Sequence, residues 1–109
     1  MFGFGKPSKY KNIDPATFEA LSTKTNTVII DVRTSGEVAE EAIPNHININ
    51  FMSPDFGKKI QALDRDNTYL LYCRSGARSA SACKKMSKLG FDKLYNLSGG
   101  IRAWKKDNR

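Results

Sequence analysis

The 109-residue sequence predicts an α/β domain with a largely parallel central sheet of about five strands and flanking helices. Three observations lead to this fold class. Runs of strand length alternate with segments of helical spacing along the whole chain. Helix-start signals fall between those runs. No internal repeat or low-complexity segment interrupts the alternation. One domain is expected over residues 10–109, after a loose N-terminus at residues 1–9.

The predicted strands are apolar or alternating runs at residues 10–13, 27–32, 46–51, 68–72 and 93–97. The run 27–32 is β-branched and nearly continuous, which is typical of a strand buried on both faces. In the run 46–51, isoleucine and phenylalanine alternate with asparagine, which indicates a half-buried strand. The run 68–72 is apolar and aromatic, and it leads directly into Cys73.

The predicted helices begin at Asp14-Pro15, at Thr34-Ser35-Gly36-Glu37, at Ser53-Pro54, at Ser79 and after Gly99 or Gly100. Asp14 is a typical N-cap before a proline at the first helical position. The Thr-Ser-Gly-Glu tetrapeptide has the spacing of a capping box. Helical spacing then follows in the apolar residues Phe18 and Leu21, Phe56, Ile60 and Leu63, and Ile101 and Trp104.

Composition excludes several classes of function. The net charge is +7, but the basic residues are scattered and do not interleave with aromatic residues, so no nucleic-acid partner is expected. No apolar run approaches the length of a membrane span, and no signal peptide is recognised, so no membrane partner is expected. Two cysteines do not form a disulfide scaffold. We expect a monomer in the cytoplasm that needs no metal or cofactor.

The segment Cys73-Arg74-Ser75-Gly76-Ala77-Arg78 carries the strongest functional signal. A cysteine leaves a buried strand and enters a tight loop that ends at a helix N-terminus. Unpaired backbone N–H groups and the positive end of a helix dipole favour the thiolate over the thiol. The positive charges of Arg74 and Arg78 also favour the thiolate. The pattern therefore predicts a nucleophilic Cys73.

The cysteine loop resembles the active-site loop of single-domain rhodaneses, the thiosulfate sulfurtransferase family. Three further stretches resemble that family in its order and spacing: Asp31-Val32-Arg33 followed by Glu37, Ile43-Pro44-Asn45-His46-Ile47-Asn48-Ile49, and Gly99-Gly100-Ile101-Arg102-Ala103-Trp104. The resemblance runs from about Asp14 to Trp104. It implies a three-layer rhodanese-like fold and transfer of a sulfane sulfur through a persulfide on Cys73. The implied partners are a small anionic sulfur donor and a thiol acceptor, which could be a protein thiol, or cyanide.

The chain departs from the family pattern at one turn. Glu41-Ala42 stands where the family has Gly-His, and Asn45-His46 where it has Gly-Ala. Asparagine adopts positive φ less freely than glycine, so the shape of this turn is affected. The departure does not affect the cysteine loop.

The remaining loop residues are expected to bind the donor. Ser75, Gly76 and Ala77 contribute backbone N–H groups, while Arg78 directs its guanidinium towards a bound anion and exposed Arg74 meets the donor's charge.

Four other residues are expected to have structural roles. Arg33 and Glu37 are expected to form an ion pair that ties a strand end to a helix. Cys83 is expected in the core and His46 in a structural or exposed place.

Two rival functions remain open. Phosphatases and arsenate reductases of the same fold also use a cysteine and arginine loop, but with one more residue between the two than separates Cys73 from Arg78. A persulfide carrier that serves a dedicated partner would use the same loop chemistry with poor turnover on free thiosulfate.

Overall fold

The computed structural model describes residues 9–108. Its five strands are β1 (Tyr10–Ile13), β2 (Thr27–Asp31), β3 (His46–Asn48), β4 (Thr68–Tyr72) and β5 (Leu94–Leu97). Its helices are α1 (Pro15–Ser22), α2 (Ser35–Glu40), α3 (Phe56–Gln61), α4 (Ala77–Lys88) and α5 (Gly100–Asp107). The alternation of strands and helices confirms the predicted fold class. The expected loose segment falls mainly on residues 1–8, which lie outside the described residues, as does Arg109.

The strands form one parallel sheet in the order β1-β5-β4-β2-β3. One face carries an apolar cluster to which α3 contributes Phe56 and Ile60 and α4 contributes Cys83 and Met86. On the opposite face a second cluster contains Phe18 of α1 and Ile101 of α5. Helices therefore cover both faces, and the domain has the three layers expected of a buried parallel sheet.

The parallel arrangement brings the carboxyl ends of β2, β4 and β5 to one edge of the sheet. Asp31 lies opposite Tyr72, and Leu71 lies opposite Asn96. The residues that follow these strands, including Arg33, Cys73 and Ser98, are therefore neighbours at that edge. This is the usual place for a ligand site in an α/β sheet.

The start signals of α1 and α2 act as predicted. The Asp14 carboxylate accepts a hydrogen bond from the Thr17 N–H at 2.9 Å. Thr34 and Glu37 form a reciprocal capping box. Each contact satisfies backbone donors that a helix N-terminus leaves unpaired.

Two element bounds differ from the sequence prediction by three residues, while the end of β2 and the starts of α4 and β5 differ by one or two. The strand predicted to Phe51 ends at Asn48, although the Ile49 and Phe51 N–H groups still bond to the carbonyls of Asp31 and Val32. The helix predicted from Ser53 begins at Phe56, because residues 50–53 close a turn in which the Ser53 N–H bonds to the Asn50 carbonyl. Local propensity does not contain these tertiary and turn contacts.

The turn that departs from the family pattern adopts a left-handed conformation. Asn45 has a φ of +66°, so asparagine takes the conformation that glycine would adopt more freely. The following His46 donates a hydrogen bond through Nδ1 to the Ile43 carbonyl at 2.8 Å. His46 therefore makes a structural contact.

Across residues 9–108, no helix has the length and apolar character that crossing a membrane requires.

Candidate active site

Cys73 lies immediately after β4 and is almost completely buried, with 1% of its surface exposed. Its side chain belongs to the apolar cluster beneath α3 and α4. The loop that follows is open on its outer side, since Arg74 and Ser75 are exposed. The thiol therefore sits at the base of a loop whose rim faces solvent.

The Cys73 sulfur receives hydrogen bonds from the loop. The Gly76 N–H donates to Sγ at 3.1 Å, and the Ser79 hydroxyl lies 3.4 Å from it. Gly76 has a φ of +105°, a conformation that glycine adopts at little cost. This conformation turns the chain from the loop into α4 and brings the Gly76 N–H to the sulfur.

Two opposing influences set the pKa of the Cys73 thiol. Burial is the largest, and it raises the pKa. Hydrogen bonds from the Ser79 hydroxyl and from the backbone of Ser79, Gly76 and Ser75 lower it. Together these bonds outweigh burial, so the pKa lies below its ordinary value. The donors thus favour the thiolate, which is the nucleophilic form.

Ser79 was not among the expected site residues, although the N–H groups of Ser75 and Gly76 were. Ala77 was also expected to contribute its N–H, but it begins α4 and is not among these donors. Ser79 is the first residue of the predicted helix and the third residue of α4. Its spacing from Cys73 and its place on the buried face of α4 were the signals available.

A buried amide supports this hydroxyl. Asn96 of β5 accepts from the Ser79 hydroxyl and donates through Nδ2 to the Gly76 carbonyl at 3.2 Å and to Asn12 Oδ1 at 2.9 Å. Ser79 has one hydroxyl hydrogen, so Asn96, the Gly76 carbonyl and the Cys73 sulfur compete for it. A thiolate attracts this hydrogen more strongly than a thiol does. Asn96 was not predicted from the sequence, since it lies 23 residues after Cys73.

The guanidinium of Arg78 is engaged by α2. It forms a two-point ion pair with Glu37 of α2, with N–O distances of 2.7 and 2.8 Å. The hydrogen bond with Arg78 is the main reason that the pKa of Glu37 falls to about 2. Arg78 therefore anchors the end of the loop to α2, and its expected role as an anion ligand stays a prediction.

The predicted ion pair between Arg33 and Glu37 is wrong. Arg33 instead binds Asp31 through Nε at 3.0 Å and Nη2 at 2.7 Å. Its Nη2 also donates to the Glu41 carbonyl at 2.8 Å. Arg33 thus binds a carboxylate two residues before it, while Glu37 is engaged by Arg78 from a distant part of the chain.

The first turn of α5 holds the beginning of the cysteine loop. The Ile101 N–H donates to the Cys73 carbonyl at 2.9 Å, and the Arg102 N–H donates to the Arg74 carbonyl at 3.3 Å. Gly100 allows this approach, because a Cβ at that position would lie 2.6 Å from the Cys73 carbonyl oxygen and nearer still to Arg74. Gly99 and Gly100, at the start of α5, thus allow the N-terminus of this helix to pack against the cysteine loop.

The second cysteine has a different environment. Cys83 is fully buried on the inner face of α4, as expected. Burial alone raises its pKa to about 12. It is therefore a poor nucleophile at neutral pH.

Among residues 9–108, no cluster of three or more His, Cys, Asp or Glu side chains is arranged to hold a metal ion.

Comparison with known proteins agrees with this geometry. The family model for the rhodanese-like domain matches residues 14–107. YtwF of Bacillus subtilis (strain 168), whose sulfurtransferase assignment is provisional, is 37% identical over 91 residues, which cover 84% of this chain and 85% of that protein. The thiosulfate sulfurtransferase GlpE of Coxiella burnetii is 31% identical over 97 residues, which cover 88% of each chain.

A solved structure shows the same fold. The rhodanese-related protein of Thermoplasma volcanium superposes with a TM-score of 0.77 at 31% identity, over 90% of this chain and 93% of that one. The structural similarity therefore covers most of the chain, and the family match over residues 14–107 contains the cysteine loop. On its sequence and its fold, this chain belongs to the family of rhodanese-like domains.

Proposed function

We propose that the protein is a sulfurtransferase that moves a sulfane sulfur from thiosulfate or a similar anionic donor through a persulfide on Cys73. The observation that carries the proposal is the hydrogen bonding of the Cys73 sulfur, with the Gly76 N–H at 3.1 Å and the Ser79 hydroxyl at 3.4 Å. These donors are fixed before any substrate arrives. They can stabilise a sulfur anion without reorganising.

In the first step the Cys73 thiolate attacks the outer sulfur of thiosulfate. A sulfur–sulfur bond forms to Cys73, the bond between the two donor sulfurs breaks, and sulfite leaves with its electron pair. One negative charge stays on the terminal sulfur of the persulfide. The loop N–H groups, the N-terminus of α4 and the nearby Arg74 favour that charge.

In the second step an acceptor thiolate, or cyanide, attacks the terminal sulfur. A bond forms between acceptor and sulfur, the bond to Cys73 breaks, and the Cys73 thiolate is regenerated. The two half-reactions share a covalent intermediate, so ping-pong kinetics are expected. A thiol acceptor and a small anionic donor are therefore the proposed partners. A cytoplasmic monomer remains a prediction from the sequence.

The decisive experiment is an intact mass measurement after incubation with thiosulfate. We expect the gain of one sulfur atom on the wild-type protein and none on Cys73→Ser. Cys83→Ala serves as the matched control, because that thiol is buried away from the loop donors, and it should still gain the sulfur. A wild-type protein that gains no sulfur would refute the proposal.

The same samples test the two rival functions. The length of the loop argues against a phosphatase, since Cys73 and Arg78 are separated by one residue fewer than in the phosphatase and arsenate reductase loops. Hydrolysis of p-nitrophenyl phosphate that disappears in Cys73→Ser, without persulfide formation, would establish that rival. A stable persulfide combined with negligible thiocyanate formation from thiosulfate and cyanide would instead indicate a persulfide carrier.

A further inference from the structure

A chain of polar side chains runs from the Cys73 sulfur across the sheet to its edge. Ser79 of α4 lies 3.4 Å from the sulfur, and its hydroxyl donates to Asn96 of β5. Asn96 then donates to Asn12 of the edge strand β1 at 2.9 Å. Ser79 is fully buried and Asn96 is 3% exposed. Protein groups therefore decide where the hydrogens between the sulfur and Asn96 point.

The orientation of the Asn96 amide follows from its neighbours. The Gly76 carbonyl lies 3.2 Å from the amide. A carbonyl oxygen can only accept a hydrogen bond, so the NH2 group of Asn96 must face it. The amide oxygen of Asn96 therefore faces Ser79. Because this oxygen also can only accept, the Ser79 hydroxyl must donate to it.

The direction of this hydrogen bond fixes what the Cys73 thiol meets. With its hydrogen on Asn96, the Ser79 hydroxyl presents a lone pair to the sulfur, and the thiol S–H donates to it. Every group of the chain is then satisfied. Once Cys73 loses its proton, the sulfur and the Asn96 oxygen are two acceptors with one hydroxyl hydrogen between them.

The Gly76 carbonyl is a weaker competitor for that hydrogen. It lies 3.3 Å from the Ser79 oxygen, but it also accepts from the Ala80 N–H at 3.1 Å and from Asn96 at 3.2 Å. These two donors occupy both lone pairs of the carbonyl oxygen. The contest is therefore between the sulfur and Asn96. A hydrogen bond to an anion is roughly twice as strong as one between neutral groups, so the thiolate takes the hydrogen.

We propose that Asn96 is a positioning residue that acts through Ser79, and that it directs the Ser79 hydroxyl away from the Cys73 sulfur until that sulfur carries a negative charge. When the hydroxyl rotates to the thiolate, the buried Asn96 oxygen loses its donor, which costs free energy. Asn96 therefore makes the thiolate less favourable than Gly76 and Ser79 alone would make it.

The same rotation would follow the charge during sulfur transfer, and this consequence rests on the proposed function. In the persulfide the negative charge lies on the terminal sulfur, so Sγ is neutral and the hydroxyl returns to Asn96. When an acceptor thiolate attacks the terminal sulfur, a new sulfur–sulfur bond forms and the bond to Sγ breaks. Its electron pair passes to Sγ, and the hydroxyl rotates back to stabilise the developing charge.

The charged and titratable groups around Cys73 do not produce this coupling. Arg78 interacts with Cys73 strongly enough to alter its own pKa, and its partner is Glu37 of α2. Cys83 and Tyr69 share the apolar cluster with Cys73. Burial raises the pKa of Cys83 to about 12 and that of Tyr69 above its ordinary value, so both stay neutral near neutral pH.

The other charged groups at this edge of the sheet are also separate from the chain. The lysines of α3 and α4 are exposed. The remaining charged residues beside the loop are Asp31, Arg33, Arg74 and Arg102. Within residues 9–108, no charged side chain bonds to Ser79 or Asn96. A substitution at position 96 therefore leaves the charges around the sulfur unchanged.

Asn96→Leu tests the proposal, because leucine has a similar shape and forms no side-chain hydrogen bond. The Ser79 hydroxyl is then released towards the sulfur, with the more distant Gly76 carbonyl as its remaining competitor. We expect the pH midpoint of Cys73 alkylation by iodoacetamide to fall by about 0.5 pH unit, part of the value of one neutral hydrogen bond. A merely structural role predicts a rise, since a disturbed loop would lose donors to the sulfur.

Two further variants show whether Asn96 acts through Ser79. On a Ser79→Ala background, Asn96→Leu should leave the midpoint unchanged, because the hydroxyl that links Asn96 to the sulfur is gone. Asn12→Ala is the matched control, since it shortens the chain at its exposed end and keeps the contact between Asn96 and Ser79. It should keep the wild-type midpoint. Circular dichroism checks that each variant is folded.

A measurement on the wild-type protein needs no variant. The side-chain carbonyl carbon of Asn96 loses its hydrogen bond from Ser79 when Cys73 ionises, so its NMR chemical shift should change with the same midpoint as alkylation. Asn48 is the internal control, because its amide bonds to the carbonyls of Asp31 and Arg33 and should not follow that midpoint.

Four results would each overturn the inference. They are a midpoint that is unchanged or higher in folded Asn96→Leu, an effect that persists without the Ser79 hydroxyl, an equal effect of Asn12→Ala, and an Asn96 carbon that does not titrate with Cys73. None of these measurements requires sulfur transfer. A protein that shows the expected midpoints but forms no persulfide would support the role of Asn96 and reject only the proposed reaction.

Discussion

Gly100→Ala should damage both the stability of the domain and the geometry of the cysteine loop. Gly100 has a φ of +61°, and an added Cβ would lie 2.6 Å from the Cys73 carbonyl oxygen. The left-handed conformation costs alanine about 1–2 kcal/mol. Displacing packed backbone costs about 1–3 kcal/mol more. The expected loss in the free energy of unfolding is therefore about 2–5 kcal/mol, a large part of the usual total for a small domain.

Gly100→Ala should also disturb the cysteine loop, because α5 donates two hydrogen bonds to the carbonyls of Cys73 and Arg74. If the helix moves away from the loop, the donors around the sulfur move as well. We therefore expect the pH midpoint of Cys73 alkylation by iodoacetamide to rise towards that of an ordinary cysteine. The rate is measured against pH on protein that circular dichroism shows to be folded.

Gly36→Ala provides the matched control. Gly36 lies in α2, and an added Cβ would have no neighbour within 4 Å. This substitution should stabilise the domain by about 0.5–1 kcal/mol, because alanine has the higher helix propensity. Both variants are compared by urea unfolding at constant m-value. If Gly100→Ala unfolds at the same urea concentration as the wild type, and its thiol titrates at the same pH, the close approach of α5 does not hold the loop as argued.

Three further predictions concern single side chains. Ser79→Ala should move the alkylation midpoint of Cys73 to higher pH, because fewer hydrogen bonds would then offset the effect of burial on the thiol pKa. An unchanged midpoint would show that the Ser79 hydroxyl donates to Asn96 and does not lower the pKa of Cys73. Cys83→Ala should cost about 1 kcal/mol in urea unfolding through the vacated space, with persulfide formation retained; loss of persulfide formation in the folded variant would give this thiol a chemical role. Glu37→Gln should weaken the attachment of Arg78 to α2. Since the Glu37 pKa falls from 4.5 to about 2, the wild type has this stabilisation above pH 4.5 and loses it as the pH falls towards 2. Thermal unfolding of the two proteins should therefore differ most near neutral pH and converge at the acid end, and a constant difference would contradict the assignment.

Helix starts were predictable because the side chains that cap them are close in sequence. Asp14, Thr34 and Glu37 satisfy backbone donors three residues away, and the structure shows these contacts. Strand positions were predictable for a similar reason, since a continuous or alternating apolar pattern is a local property. The bounds that failed, at Phe51 and at Ser53, depend on pairing with β2 and on a turn.

The cysteine loop was also readable from the sequence. Cys73, the glycine three residues later and the helix that follows form one contiguous segment, so their chemistry could be argued without a fold. The resemblance of four separated stretches to one family then supplied the expected reaction. Their order and spacing constrain the topology, and the family match over residues 14–107 agrees with them.

The ionic partner of Glu37 was decided only by the tertiary structure. Glu37 binds Arg78, 41 residues later in the chain, because the fold brings α2 beside the end of the cysteine loop. Arg33, in contrast, binds Asp31 only two residues away. Asn96 reaches Ser79 because β4 and β5 are adjacent strands, and α5 reaches the loop because Gly100 lacks a side chain. Local hydrogen bonds and apolar periodicity are encoded over a few residues, so the sequence by itself determined most of the elements and pointed to Cys73 as the candidate nucleophile. The choice among several possible ionic partners depends on distances between elements far apart in the chain, and folding alone sets those distances.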